Sequence, residues 1–207
     1  METMWTESLW GDEGFSALAV AKPFWETMGV VMRDTAPPLF YILGWVWGRM
    51  FGFSEVSLRS LSLLLLIGAS GFAYLILRRI GKEHLPALAG ALLAFFSPYL
   101  FPYAFEFRMY ALFAFTTLGS VYFFIAHKWK AYVIFTTLAL YSHHYALFTV
   151  FGQYLWFMIA EFDWKKLKTV HRQLWPFLVV GGLYLPWIYP FSLQLARVKG
   201  SGFWLSV

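Results

Sequence analysis

The sequence predicts an all-α integral membrane protein with several crossings, and three observations predict it. Sixty per cent of the 207 residues are hydrophobic, 22% aromatic and only 13% charged, with a mean hydropathy of +0.60. Soluble domains of this length do not carry that balance. Charge-free runs recur at the length a bilayer demands, roughly 20 residues with ~17 as a lower bound. The basic residues fall in small clusters between those runs, which is how cytoplasmic loops are marked. The expected architecture is a polytopic transmembrane helical bundle with interfacial helices on the extracytoplasmic side. Because the bases form no single patch, the pI near 9.4 does not argue for nucleic acid as a partner. The absence of cysteine excludes disulfides, thiolate metal sites and a cysteine nucleophile.

Residues 1–55 are expected to form an extracytoplasmic first loop that carries acids and interfacial helices. Asp12-Glu13 stand in a short polar patch, and Asp34 follows in the segment Arg33-Asp34-Thr35-Ala36-Pro37-Pro38. The run 35–48 is fourteen residues long, short for a span and typical of a surface helix. Pro37-Pro38 suit its start, Asp34 its N-cap, and Trp45 and Trp47 the headgroup depth.

Residues 56–196 are expected to form the bundle of about six helices, with spans at 60–77, 84–105, 109–126 and 174–196. The stretch 131–160 would be ~45 Å long as one helix, too long for a ~30 Å core. Two shorter helices meeting at Ser142-His143-His144 fit better. If the segment before Arg59 lies outside, three inner loops hold nine of the sixteen Lys and Arg residues but only three of the eleven acids. A single span over 131–160 would reverse this for Lys165, Lys166, Lys168 and Arg172, against the positive-inside bias. Residues 197–207 then begin a further outer loop.

This topology brings Asp12, Glu13, Asp34, Glu106, Arg108, His143 and His144 to one extracytoplasmic face. Each has an ordinary reading beside a functional one. Acids at a helix start complement its dipole, whereas a carboxylate at a membrane interface can act as general base or metal ligand. Adjacent helical residues diverge, so one of the pair, Asp12, is expected to face a cavity. Glu106 and Arg108 lie in a hairpin between apolar runs, where ionisable groups pair or face a cavity; at i and i+2 each needs a partner elsewhere. Arg59 could snorkel to headgroups. The histidines interrupt an apolar run where an irregular backbone must line a wet cavity or be packed in protein. Phosphate donor, acid/base, metal ligand or packing group all remain open for them.

In order and spacing, these pieces resemble the GT-C superfamily of polytopic glycosyltransferases, specifically its family-39-like group, the dolichyl-phosphate-mannose–protein mannosyltransferase-like enzymes. The resemblance rests on Trp10-Gly11-Asp12-Glu13-Gly14, Asp34 through Tyr41, Phe51 through Glu55 with Arg59, Ser97-Pro98, Glu106 through Leu112, His143-His144 and Leu185-Pro186-Trp187. It implies transfer of a sugar, with inversion, from a polyprenyl-phosphate carrier to a protein, lipid or glycan acceptor on the extracytoplasmic side of the membrane. Asp12 is then the leading catalytic carboxylate, with Glu13 and Asp34 in the catalytic set. Glu106, Arg108, Tyr110, His143, His144 and Arg59 are the substrate-binding set, and a divalent cation is left open as cofactor. Family members carry a helix before the acidic loop and further spans beyond the last one here, so the chain is expected to be a fragment. The competing expectations are a transporter, for which no internal repeat is found, and a non-catalytic membrane subunit.

Overall fold

The computed structural model describes residues 7–200. Among them are α-helices α1 (Gly11–Ala21), α2 (Phe24–Val31), α3 (Leu39–Phe51), α4 (Glu55–Gly81), α5 (His84–Phe95), α6 (Tyr110–Ile125), α7 (Trp129–Ser142), α8 (Ala146–Ala160) and α9 (Val170–Gly200), with short 3₁₀ segments at Phe101–Ala104 and Trp164–Thr169 and no strand. The all-helical expectation is met.

Local chemistry sets the boundaries. α3 ends at Gly52, whose φ of +89° suits glycine. α4 then starts on Ser54, whose hydroxyl accepts from the Ser57 N–H. Glu55 in its first turn and Arg78 and Arg79 in its last complement the helix dipole. The run 84–105 does not make one span. α5 stops at Phe95, and Ser97 precedes Pro98, a position that disfavours helix. The chain continues through a 3₁₀ turn. The run 131–160 is broken at His143, which adopts an extended conformation between α7 and α8. Residues 197–200 continue α9 rather than opening a loop, and residues 201–207 lie outside the described residues.

The helices alternate in direction. Ser120 bonds Thr136 and Thr116 bonds Ser142, so α6 and α7 are antiparallel. Tyr132 bonds Gln153, and Trp129 meets Phe157, so α7 and α8 are antiparallel. Tyr132 meets Phe177 while Tyr141 meets Trp187, so α9 runs with α7. One end of the bundle therefore carries the basic turns after α4, α6 and α8. The other carries residues 96–109 and 143–145, with α1–α3 lying over it. Arg49 fastens that cap: it stacks 3.8 Å from the Trp45 ring and donates to the last carbonyls of α1, Val20 at 3.1 Å and Lys22 at 2.8 Å. The Trp45 and Trp47 indoles also donate to the Lys22 and Ser57 carbonyls.

Among the described residues two helices, α4 and α9, are long and apolar enough to cross a membrane. Only 22% and 28% of their most apolar windows are buried inside the protein. Leu64, Ile67, Leu88, Leu93, Phe148, Phe151, Ile159, Leu185 and Ile188 point outward. α5, α6 and α8 are apolar but shorter, at ~18–24 Å.

Candidate functional site

The site is built around the first turn of α1. Adjacent residues on a helix point about 100° apart, and here they separate completely. The Asp12 side chain is 38% exposed, whereas that of Glu13 is wholly buried.

Glu13 is a structural anchor. Its Oε2 receives Arg59 Nη2 at 2.7 Å and its Oε1 receives Arg59 Nε at 3.1 Å, a two-pronged pair joining α1 to α4. The same Oε1 accepts the Phe107 N–H at 2.6 Å. Arg59 Nη1 donates to the Glu7 carbonyl at 2.8 Å. Arg59 thus points inward instead of snorkelling outward, because Glu13 satisfies its charge. A small cleft of about 240 Å³ beside this pair is lined by Glu7, Trp10, Glu13, Arg59, Phe105 and Glu106 among others. Burial first, then the Glu13 carboxylate, pushes the Glu106 carboxyl above its usual range.

Asp12 finds its cation in Arg108. Arg108 Nη2 lies 3.2 Å from Asp12 Oδ2, while Nη1 donates to the Asp12 carbonyl at 3.2 Å and to Ser16 Oγ at 3.4 Å. The tight turn in which Arg108 N–H donates to the Glu106 carbonyl at 2.8 Å leaves Glu106 beside the small cleft and turns Arg108 into a second one. That second cleft, of about 370 Å³, is lined by Asp12, Thr35, Ala36, Pro37, Arg108, Met109, Tyr110, His143, His144 and Tyr145. Tyr110 lies under the guanidinium, 5.9 Å from ring centroid to Cζ, and 6.1 Å from the His143 ring.

His143 Nδ1 accepts the Tyr145 N–H at 3.1 Å. Burial, then His144 and Arg108, pushes its pKa down to about 4, so the ring is neutral near pH 7. His144 is likewise lowered by burial, against the influence of Gln194 and the Thr35 backbone. Its Nε2 meets Gln194 Oε1 at 3.2 Å, and its ring stacks on Phe191 at 4.5 Å.

Five of the nine expected residues therefore meet in one cleft: Asp12, Arg108, Tyr110, His143 and His144. Glu13, Arg59 and Glu106 surround the neighbouring one. Asp34 does neither, and it does not cap α3, which starts at Pro38 with no side-chain cap. It accepts the Tyr41 hydroxyl at 2.8 Å. Burial, then Asp34, keeps that phenol protonated. Gln194 was missed by sequence reasoning; its signal was an amide between Leu193 and Leu195 in the second half of α9, where it needs a buried partner.

A larger pocket of about 550 Å³ opens at the opposite end, between α6 and α8, with an apolar lining apart from His127, Gln153 and Glu161. The smaller Asp12 cleft holds the convergent charged and polar groups, and chemistry needs those more than volume. Among the described residues no group of three or more His, Asp or Glu side chains is placed to hold a metal ion. Comparison with family models, curated proteins and solved structures finds no match.

The cleft can fix a carboxylate by one oxygen while presenting a guanidinium and two imidazoles to an anion. That combination suits a displacement in which a proton leaves one group and negative charge develops on another.

Proposed function

We propose that this chain is a multi-pass membrane glycosyltransferase of the GT-C type, which moves a sugar from a polyprenyl-phosphate donor to an extracytoplasmic acceptor. The observation that carries this reading is the convergence of Asp12, Arg108, His143 and His144 in one cleft, at the end of an apolar-faced bundle opposite its basic turns. The ordered resemblance of the residues from Trp10 to Trp187 supports it independently of that geometry.

In this reaction Asp12 takes the proton from an acceptor hydroxyl, and the oxygen attacks the anomeric carbon. The bond from that carbon to the phosphate oxygen breaks, and its electron pair leaves with the phosphate. A single displacement inverts the anomeric centre. Arg108 and the imidazole N–H groups stabilise the departing charge, and the polyprenyl phosphate monoester leaves without a strong acid. Glu13 and Arg59 hold the walls from behind, so their part is positioning. Glu106 borders the side from which an acceptor could approach. The membrane reading has α4 and α9 spanning fully, with the shorter α5–α8 crossing a locally thinned bilayer; it would be an inner or plasma membrane with the cleft outside. The acceptor class, protein, lipid or glycan, is open.

The test is Asp12→Asn in the full-length protein, assayed with a panel of short-chain polyprenyl-phosphate sugars. Transfer should fall by ~10²–10⁴-fold with substrate binding retained. Transfer at the wild-type rate would remove Asp12 as the base, and an inactive wild type across the panel would favour a non-catalytic subunit.

A further inference from the structure

Gln194 is the residue through which the last helix reaches the cleft. It is 2% exposed, and both ends of its amide are engaged. Nε2 donates to the carbonyls of Val31 at 3.2 Å and Ala36 at 3.3 Å. Reversing the amide would lose both bonds, so Oε1 is fixed as the acceptor facing His144 Nε2 at 3.2 Å. An acceptor there requires Nε2 to carry the hydrogen. In the neutral ring Nδ1 is then a bare lone pair, and that atom is buried with no hydrogen-bond partner. Buried acceptors are costly to leave unpaired. A proton on Nδ1 would make it a donor, for which the Thr35 backbone beside the ring or an entering anion supplies the acceptor, at the cost of a desolvated charge.

We propose that Gln194 is a positioning residue for phosphate recognition, holding His144 so that its ring takes up one proton from water as the donor's phosphate enters the cleft. This rests on reading the cleft as a phosphate-sugar site. The anion supplies the countercharge that burial denies the imidazolium. Only an N–H bond forms, and the phosphodiester keeps its charge.

The other groups facing the ring do not take that proton. Asp12, on α1, is held by Arg108 at 3.2 Å. Asp34, ahead of α3, lines neither cleft and is bonded to Tyr41. Arg108 and Tyr110, at the start of α6, lie against Asp12 and the His143 ring respectively. On its own loop, His143 Nδ1 already accepts the Tyr145 N–H. α9 contributes Phe191 and Gln194, with Arg197 one turn beyond. Burial is the largest influence on His144 and lowers it, while Gln194 and the Thr35 backbone favour its charged form.

The sign follows from linkage. Bound phosphate raises the pKa of the ring, so binding is tightest below the free value, which lies under 6.5. It weakens about tenfold per pH unit as pH rises toward the bound value and levels off above it.

The test is calorimetry of the detergent-solubilised full chain with a short isoprenyl methyl phosphodiester, whose own charge is constant across the range. Titrations in two buffers of different ionisation enthalpy, between about pH 6 and about pH 8, count the protons taken up. The wild type should take up close to one proton, and Gln194→Leu none, with an affinity that no longer varies with pH. Leu at 194 also strips donors from two carbonyls, so His144→Gln is the second variant and should likewise show no uptake. Wild-type binding without uptake, or full uptake in Gln194→Leu, would overturn the proposal while leaving the phosphate site intact. Absence of binding by every form at every pH would overturn both, and that outcome is distinct from the transfer assay.

Discussion

Asp12 and Glu13 are neighbours in sequence with opposite surroundings, one lining a wet cleft and the other sealed between α1, α4 and residue 107. The Glu13–Arg59 pair is buried on both sides, so removing one charge strands the other. Glu13→Gln keeps the shape but removes the buried carboxylate that holds Arg59 by both oxygens, and a loss of ~3–5 kcal/mol is expected. The double variant Glu13→Leu with Arg59→Leu should recover a large part of it, as read from thermal unfolding of the solubilised protein. A single variant no worse than the double would mean that the pair does not hold the wall. That the two acids would diverge was legible from helix geometry alone. Which one would be buried rested on Arg59, forty-six residues away, whose inward turn no local pattern specifies.

At the scale of elements, the cap depends on close approach. Gly44, midway along α3, lies against the Phe107 ring: a Cβ there would stand 2.6 Å from Phe107 Cζ and 3.3 Å from Val20 Cγ1. Phe107 also supplies the N–H that Glu13 accepts, so displacing the ring strains the turn that aims Arg108 at Asp12. Gly44→Ala should cost ~1–3 kcal/mol through overpacking and should weaken phosphodiester binding more than a substitution at the outward-facing Gly71. Equal binding by the two variants would separate α3 packing from the site. The break between α7 and α8 was legible because one helix would overrun a bilayer. The early end of α5 was less so, since an apolar run reads alike whether it is one span or a helix followed by a 3₁₀ turn.

Across the whole molecule, charge separates along the bundle. The turns holding Lys82, Lys128 and Lys165–Lys166 lie at one end, while Asp12, Arg108 and the histidines lie at the other. With no native cysteine, topology can be read by single thiols at exposed sites. Trp10→Cys and Lys166→Cys, at positions 54% and 72% exposed, should be labelled by an impermeant maleimide from opposite sides of the membrane. Labelling of both from the same side would reject the proposed crossing pattern and the outward-facing cleft with it.

Composition and periodicity by themselves determined that the chain is helical, that apolar faces would point outward and that the basic turns and most of the acids would lie at opposite ends. Those properties follow from the local cost of exposing or burying each side chain, which sequence spacing records. Tertiary structure alone decided that Glu13 would anchor, that Asp34 would bond Tyr41 rather than cap α3, and that Gln194 of the last helix would set the hydrogen on His144. A buried polar group is satisfied by whichever partner the packing brings within hydrogen-bond reach, and those partners lie seven to 163 residues away along the chain.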